Sequence, residues 1–338
     1  MSKTKIGVDI GNSELKIAVR TGPVIKTLSL HLPENMVRGG RVQMLNTMGD
    51  FLQSARKENK LSRGAECAVV LPNVLGLCRR MSLPYMTEEQ LQLNLPYEFR
   101  DYITSEGESY YYDYALEEII RDEEGNPKSM DLMAAAVPKS AIQEYIDIFK
   151  MAGMKLRVIL PQEMVYVNLL REHIQLHSEN AEKEICIVDI GYGSTRVHIF
   201  VGDSFRVSRS IDSGCSDVDE AIARSLNIDH YVAGTYKLTD YNGVLSLTAC
   251  ADVYHRIAIE IMKAVNFYRF NNPDSILSEI IFAGGGSFIE PLVQDITESV
   301  GLVRRDIGEL MPGELDRQAA QCILALGLVS GGEVGRLG

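Results

Sequence analysis

The chain has 338 residues, of which 46% are apolar and 24% are charged, and these proportions are typical of globular proteins. The length is sufficient for two lobes. A formal net charge of −12 argues against broad contact with nucleic acid or with anionic lipid. We expect no signal peptide, because the chain enters a predicted strand almost at once. We expect no direct membrane insertion, because no apolar run approaches the roughly 20 residues of a membrane span.

The cysteine and histidine patterns indicate no metal or disulfide framework. None of the six cysteines forms a C-x-x-C pair, and several stand in apolar runs, as Cys186 does. We therefore expect reduced, buried, structural thiols in the cytoplasm. His173 and His177 have i, i+4 spacing on a predicted helix, but no glutamate follows His173 as the H-E-x-x-H motif requires. A polar helix face explains this pair.

The first predicted elements are a hairpin, a helix and a strand. The run Val8-Asp9-Ile10-Gly11 closes an apolar strand, and a second apolar strand follows a short polar turn and ends near residue 19. Apolar residues from 44 to 55 recur at helical spacing. Residues 67–72 have the pattern of a buried strand. This order predicts the start of an α/β lobe.

Residues 81–154 have a different character and predict a small α/β insert in the first lobe. Thr87 and Gln90 have the spacing of a capping box, which predicts the start of a helix. Pro96 is expected to kink or end that helix. Ser140 is expected to cap a later helix.

Between these helices the insert predicts a hairpin. A strand over 106–120 contains a cluster of tyrosines, a charged turn follows over 121–128, and a strand over 131–137 returns. The tyrosines have two interpretations that we leave open. They form a surface for a partner, since tyrosine is enriched at interfaces, or they form one half-buried face of the sheet.

The strand–turn–strand pattern of the chain start returns in its middle. A strand over 155–160, a helix beginning near Glu163 and a polar hinge over 178–184 lead to a second lobe. That lobe opens with Val188-Asp189-Ile190-Gly191, and the next strand places Arg196 at the offset that Lys16 has in the first copy. The repeat predicts two related lobes with a carboxylate on either side of a cleft.

Each copy of the motif has the chemistry of a phosphate and magnesium site. A tight turn exposes backbone N–H groups, and glycine lets a phosphate oxygen approach them. An aspartate supplies hard oxygens for Mg²⁺, and Lys16 adds a point charge for a phosphate. A single Asp-x-Gly is usually an ordinary strand end. Taken alone, Lys16 is also consistent with a solvent-facing lysine on an edge strand. Two matched copies favour the functional interpretation.

A glycine-rich loop follows later in the chain. A short buried strand over 279–283 leads into Gly284-Gly285-Gly286-Ser287 and then into a predicted helix over 288–300. Three glycines would let a flat ligand lie against bare backbone. The spacing fits neither the dinucleotide fingerprint nor the P-loop.

Further helices are expected over 217–226, 229–238 and 247–268, and a closing helix over 316–329. The tail over 330–338 is glycine-rich and has no apolar face. It therefore offers no amphipathic membrane helix.

With two phosphate-type hairpins and a late glycine loop in this order, the chain resembles the actin-like ATPase superfamily. The resemblance covers nearly the whole chain and narrows to the PilM family of type IV pilus assembly proteins, with FtsA as the nearest relative outside it. The segments that carry it include Ile6–Gly11, Ser210–Gly214, Asn266–Arg269 and Ile281–Gly286. The implied fold is α/β, an actin-like two-lobed fold of duplicated ribonuclease-H-like domains with an FtsA/PilM-type inserted small α/β subdomain.

The resemblance also implies a division of the chain. It assigns the first-lobe core to 1–80, the inserted subdomain to 81–154, and the interlobe helix of the first lobe to 155–180. It assigns the second-lobe core to 181–205, its small subdomain to 206–274, the adenosine loop to 275–310, and the closing helix and tail to 311–338.

The resemblance implies a site for ATP and Mg²⁺. Asp9 and Asp189 would bind magnesium as well as nucleotide, and Glu163 would position water or act as a general base. Glu163 also fits a plain acid at a helix N-terminus, which the macrodipole favours. The other implied nucleotide-binding residues are Gly11, Asn12, Ser13, Lys16, Gly191, Gly193, Ser194, Gly214, Lys237, Gly284, Gly285, Gly286 and Ser287.

Two departures from the family pattern bear on affinity. The family usually has an acid three positions before the lysine at Lys237, and this chain has Gly234 there. One ribose contact would be lost. Tyr192 replaces a small residue in the second turn, and its ring must point away from the phosphates. We expect weak or altered nucleotide affinity.

The implied function is that of an ATP-binding scaffold at the inner face of the cytoplasmic membrane, with weak ATPase activity at most. The family recruits such a scaffold through the N-terminal cytoplasmic peptide of PilN, which lies in a groove beside the insert. Other pilus inner-membrane components and self-association are further expected partners, whereas nucleic acid is not. The alternatives are a sugar-type kinase of the same superfamily and an FtsA-like filament-forming protein.

Overall fold

The computed structural model describes residues 4–103, 108–311 and 317–330. The chain divides into two compact units. Unit 1 comprises Met1–Leu169 and Leu324–Gly338, and unit 2 comprises Leu170–Ile323. The prediction for the tail falls mostly on 331–338, which lie outside the described residues.

The first ten strands belong to unit 1. They are β1 (Thr4–Ile10), β2 (Glu14–Thr21), β3 (Val24–His31), β4 (Val37–Arg38), β5 (Arg41–Val42), β6 (Glu66–Leu71), β7 (Leu77–Pro84), β8 (Tyr110–Arg121), β9 (Pro127–Pro138) and β10 (Lys155–Pro161). The helices that accompany them are α1 (Leu45–Glu58), α2 (Glu88–Glu98), α3 (Lys139–Met151) and α4 (Gln162–Leu176).

The main sheet of unit 1 has the order β10-β6-β1-β2-β3. β1, β2 and β3 form an antiparallel meander, while β6 and β10 are parallel to β1. One face of the sheet is covered by α1 and α3, because Met48, Leu52 and Ala55 recur on one side of α1 and pack with Tyr145 and Phe149 of α3. These side chains form the core of the unit.

The insert has a sheet and a core of its own. Its three strands have the order β7-β9-β8, and Leu91, Leu95 and Phe99 of α2 and its C-cap pack on one face of this sheet. The sheet begins at Leu77, before the predicted start at 81. α3 packs on α1 in the core of the main sheet. The segment with its own core therefore ends near Pro138, where the prediction placed the end at 154.

Local predictions in the insert had mixed outcomes. The Thr87–Gln90 capping box is present in both directions, and the charged turn between β8 and β9 forms as expected. Pro96 lies inside α2, but the helix ends two residues later, so few backbone hydrogen bonds are lost. The predicted cap at Ser140 is wrong, because its Oγ donates to Glu108 Oε1 at 2.8 Å.

The tyrosine cluster divides between the two faces of the insert sheet. Tyr110, Tyr112 and Tyr114 pack against the core under α2, as the half-buried interpretation expects. Tyr111 lies on the other face and is 54% exposed. The alternation along β8 places successive side chains on opposite faces.

Unit 2 contains the remaining strands and most remaining helices. The strands are β11 (Glu184–Ile190), β12 (Thr195–Val201), β13 (Ser204–Ile211), β14 (Glu279–Ala283) and β15 (Val303–Arg305). The helices are α5 (Cys215–Leu226), α6 (His230–Thr239), α7 (Thr248–Asn271) and α8 (Glu290–Val300). A 3₁₀ segment (Arg317–Cys322) and α9 (Ile323–Val329) replace the single closing helix predicted over 316–329.

The sheet of unit 2 repeats the topology of unit 1. Its order is β13-β12-β11-β14-β15, with an antiparallel meander of three strands followed by two parallel strands. α5, α7 and α8 supply buried side chains to its core. Two sheets with one strand order confirm the predicted duplication. Among the described helices, none combines the length and the apolar character needed to cross a bilayer.

An imidazole side chain lies fully inside unit 2. His198 on β12 has no exposed surface, and burial, with the neighbouring charge of Arg196, lowers its pKa to about 3. The imidazole is therefore neutral in the folded protein at pH values where an unfolded chain is already protonated, since an ordinary histidine pKa is about 6.5.

We predict that His198→Leu reduces the acid sensitivity of the fold. Because the folded pKa lies below the unfolded one, the contribution of neutral His198 is complete above about pH 6.5 and is lost as the pH falls toward 3. By pH 5 the wild type should lose about 2 kcal/mol that the variant keeps. Urea unfolding followed by circular dichroism at pH 7 and pH 5 measures this. His255→Leu, at an exposed histidine, is the control, and equal pH dependence in all three proteins would contradict the prediction.

Candidate functional site

The first hairpin places its predicted residues at the end of β1. Asp9 is half-buried and pairs in register with Lys16. The turn closes where the Gly11 N–H donates to the carbonyl of Glu14 at 2.9 Å. The side-chain oxygen of Asn12 accepts from the N–H of Gly40 at 2.8 Å. The turn is therefore fixed by hydrogen bonds on both sides.

Lys16 is not a solvent-facing lysine on an edge strand. β2 lies between β1 and β3, and the Lys16 side chain is 13% exposed, with Nζ 3.6 Å from a carboxylate oxygen of Glu14. A lysine held in this way presents its charge at a defined place. This is the property that phosphate binding requires.

Glu163 lies in the first turn of α4 and is 3% exposed. Asn73 Nδ2 donates to its Oε1 at 3.2 Å. A buried, oriented carboxylate suits a group that positions water, and the helix N-terminus also favours it electrostatically. Both interpretations from the sequence agree with this position.

The second hairpin repeats the geometry of the first. Asp189 is buried and pairs in register with Arg196. The Gly191 N–H donates to the carbonyl of Ser194 at 2.9 Å, as Gly11 does in unit 1. The two turns therefore have the same backbone hydrogen bond after the same aspartate.

The start of α5 packs directly against this second turn. The N–H groups of Cys215 and Ser216 donate to the carbonyls of Gly191 and Tyr192 at 3.0 and 2.8 Å. A Cβ at Gly214 would lie 2.7 Å from both carbonyl oxygens, which is closer than any side chain permits. Gly214 is thus required for the contact of two backbones.

The three glycines after β14 have three different environments. Gly284 has φ +77° and ψ 176°, and a Cβ there would lie 2.4 Å from Asp189 Oδ1. At Gly286 a Cβ would lie 2.2 Å from a methyl carbon of Ile190. At Gly285 no atom lies within 4 Å of a Cβ position. Gly284 and Gly286 are therefore required by the fold, whereas Gly285 borders open space in which a ligand can lie.

Lys237 has an acidic partner that the sequence did not reveal. Its Nζ lies 2.7 Å from Asp219 Oδ1, and the two side chains are 10% and 3% exposed. Burial raises the pKa of Asp219, and Lys237 opposes that rise. Gly234 lies beside this carboxylate, because a Cβ there would be 3.6 Å from Asp219 Oδ2. Lys237 thus has its acidic partner on α5, fifteen positions before Gly234, where no local spacing signals it.

Tyr192 points into unit 2. Its ring packs against the apolar core, and its hydroxyl lies 2.9 Å from His230 Nε2. Lys237 Nζ lies 5.7 Å from the centre of the ring. The ring thus covers the lysine.

The residues available for magnesium are single carboxylates. Within the described ranges, no group of three or more His, Cys, Asp or Glu side chains has the arrangement of a metal site. Mg²⁺ nevertheless binds commonly through one or two carboxylates, water and substrate phosphates. Asp9 in unit 1 and Asp189 in unit 2, each at the end of a strand before a glycine turn, each fit the role of such a carboxylate.

Each unit collects its own share of the predicted residues. The hairpin of unit 1 brings together Asp9, Gly11, Asn12, Ser13 and Lys16. In unit 2, β11 and β14 are neighbours in the sheet, which places Asp189 and the turn of Gly191, Gly193 and Ser194 next to the loop of Gly284, Gly285, Gly286 and Ser287. Gly214 joins this group through the turn, and Lys237 joins it through the Cys215 carbonyl, which its Nζ approaches at 3.3 Å.

We predict that alanine has unequal effects on stability at two adjacent glycines. Gly284→Ala should lower the free energy of unfolding by roughly 2–4 kcal/mol, because its backbone conformation is almost restricted to glycine and its Cβ would overlap Asp189. Gly285→Ala should change it by less than about 0.5 kcal/mol. Urea unfolding at neutral pH compares the two variants. Equal stability of both variants would show that Asp189 and the loop are not in this contact.

Known structures and families agree with this architecture. A family model, type IV pilus assembly protein PilM, matches residues 7–328. A solved PilM-PilN type IV pilus biogenesis complex is 22% identical, with 96% of this chain and 97% of the other covered and a TM-score of 0.82. No curated protein matches the chain.

Two further solved structures share the fold at lower similarity. The ethanolamine utilization protein EutJ from Carboxydothermus hydrogenoformans is 12% identical, with 98% and 91% of the chains covered and a TM-score of 0.62. MreB5 of Spiroplasma citri bound to ADP is 12% identical, with 96% and 94% covered and a TM-score of 0.53. The fold is that of the actin-like ATPases. Because the family model matches almost the whole length of this chain, the chain belongs to the PilM family of type IV pilus assembly proteins.

Proposed function

We propose that this protein is an ATP-binding scaffold of the type IV pilus assembly machinery, with slow or no ATP hydrolysis. The observation that carries this proposal is the pair of matched Asp-Gly turns, one in each duplicated sheet, together with the open space at Gly285. A solved relative, MreB5, is bound to ADP. In this proposal the protein acts at the inner face of the cytoplasmic membrane.

In this proposal the chain binds nucleotide through backbone and a few charges. Each unit offers a glycine turn whose backbone N–H groups suit a phosphate, after Asp9 in unit 1 and after Asp189 in unit 2, and Lys16 balances phosphate charge. Magnesium, when bound, would neutralise further phosphate charge, and Asp9 in unit 1 and Asp189 in unit 2 are each suited to hold it. Gly285 leaves room for the adenosine. Asp219 holds Lys237 beside the Cys215 carbonyl at the start of α5.

Slow turnover follows from the small number of groups that can promote hydrolysis. Glu163 is the only residue that we assign to water activation, and it already accepts a hydrogen bond from Asn73. The nucleotide therefore serves as a structural or switching ligand in this proposal.

Recruitment to the membrane is assigned to the N-terminal cytoplasmic peptide of a PilN partner. The support is that the solved relative is a PilM-PilN complex. An extended peptide binds through main-chain hydrogen bonds and pockets for alternate side chains. We place its groove where the insert meets the main sheet of unit 1. Tyr111 lies there, since its ring is 5.1 Å from Nζ of Lys139, the first residue of α3.

Two other tyrosines of the insert have different environments. Tyr102 is exposed, and the Arg79 guanidinium lies 4.3 Å from its ring. Tyr110 is partly buried in the insert's own core. Tyr111 is therefore the better marker of the proposed groove.

ATP binding is tested by calorimetry with Gly285→Val. We expect the wild type to bind ATP with magnesium and the variant to lose that binding, because the valine enters the open space at this position, where no described atom lies within 4 Å of a Cβ. An unchanged unfolding curve shows that the variant is folded. No binding heat from the wild type at about 100 μM protein, which implies a Kd above roughly 1 mM, would remove the nucleotide from the proposal.

Turnover is tested with Glu163→Gln. We expect the wild type to hydrolyse ATP well below the roughly 10 s⁻¹ median of enzymes and the variant to be slower still at unchanged ATP affinity. The rate of phosphate release under single-turnover conditions is measured for the wild type and for the variant. A wild type at the median rate would instead favour the alternative of a sugar-type kinase.

Peptide binding is tested by fluorescence anisotropy with the N-terminal peptide of the cognate PilN. We expect Tyr111→Ala to weaken binding about tenfold, as truncation of an aromatic anchor does. Tyr85→Ala is the matched control, because Tyr85 is an exposed tyrosine at the opposite end of the insert sheet. Equal loss in both variants would place the groove elsewhere.

A further inference from the structure

A strongly basic surface lies on unit 1 of this acidic protein. We define the basic patch as the exposed basic side chains in two segments, 54–66 and 150–157, which together contain seven basic and two acidic residues. The local net charge is +5 in a chain whose net charge is −12. The exposed members are Lys57, Lys60, Arg63, Lys150, Lys155 and Arg157.

The two segments are joined by backbone contacts, so the patch is one surface. The Gly64 N–H donates to the Gly153 carbonyl at 2.7 Å, and the Lys155 N–H donates to the Ala65 carbonyl at 2.9 Å. Arg56 Nε donates to the Ala152 carbonyl at 2.9 Å. The ends of α1 and α3 and the start of β10 therefore present their charges together.

Most of these charges are not neutralised within the protein. Arg157 pairs with Glu66 at 2.9 Å. In the described part of the chain, the other exposed members have no carboxylate within ion-pair distance. Basic residues in a last helical turn are favoured by the macrodipole, which accounts for Lys57 and Lys150. It does not account for Lys60, Arg63 and Lys155, which lie outside helices.

We propose that the basic patch binds the anionic surface of a lipid bilayer. A protein partner would need an apolar centre to its interface, and none of the exposed large apolar side chains belongs to the two segments. A charged, fluid surface needs only uncompensated charge on mobile side chains, which lysine supplies. The net charge of the whole chain does not prevent this contact, since charges are screened beyond about 8 Å at physiological ionic strength.

The inference goes beyond the proposed function and rests on it only for its setting at the membrane. Each basic residue near an anionic leaflet contributes about 1 kcal/mol, or roughly fivefold in partitioning. Such a contact is weak alone. It adds to a peptide tether because the tether raises the effective concentration of the patch at the lipid surface.

The experiment is vesicle co-sedimentation of the full-length protein without nucleotide or peptide. We expect the wild type to pellet with vesicles of phosphatidylcholine and phosphatidylglycerol but not with phosphatidylcholine alone. Lys57→Glu, Lys60→Glu, Arg63→Glu and Lys155→Glu combined should lower binding at least tenfold. High salt should release the wild type, because at 1 M the Debye length falls to about 3 Å.

The control has the same change of net charge at other exposed basic residues, combining Arg121→Glu, Lys128→Glu, Arg224→Glu and Lys263→Glu. It should bind lipid nearly as the wild type does. Equal loss in both variants would assign binding to overall charge and overturn the patch. Failure of the wild type to pellet would overturn the lipid proposal, and self-association lost only in the patch variant would then identify an acidic protein surface as the partner. None of these results depends on whether ATP or the PilN peptide binds.

Discussion

The contact on which the site in unit 2 depends is the approach of one backbone to another at the end of β11. The loop after β14 lies so close to Asp189 and Ile190 that neither Gly284 nor Gly286 can carry a side chain. The start of α5 approaches the adjacent turn in the same way at Gly214. Because bare backbone occupies these places, the aspartate, the turn and the open space at Gly285 lie side by side.

Duplication gives this arrangement a counterpart in unit 1. Both sheets have three antiparallel and two parallel strands in one order, and both place an aspartate opposite a basic residue at the end of the first strand. The copies differ in what surrounds them. Unit 1 adds an insert with its own sheet and core, whereas unit 2 adds a buried ion pair between Lys237 and Asp219. The two units therefore share the hairpin and differ in the elements that pack around it.

The local charge of each surface region, and not the net charge of the chain, indicates what that region can bind. The insert and unit 2 contribute acidic residues, while 54–66 and 150–157 concentrate basic ones. A single net charge averages over these regions, and screening keeps their fields separate. The expectation of no broad contact with anionic lipid concerns the average surface and does not describe the basic patch.

The sequence by itself determined the elements that depend on local chemistry. The two Asp-Gly turns, the glycine loop, the capping box at Thr87 and the duplicated α/β lobes follow from short-range patterns that fix strands, turns and helix starts. The helix cap at Ser140 was predicted wrongly, because a distant carboxylate at Glu108 competes for the same hydroxyl.

Only the tertiary structure decided the features that join distant segments. Asp219 becomes the partner of Lys237 because α5 and α6 pack together, and no spacing along the chain signals that pairing. The sequence showed that side chains alternate along β8, but which tyrosines faced the core depended on the position of α2. The basic patch exists because the ends of α1 and α3 and the start of β10 lie at one place, which no pattern along the chain reveals.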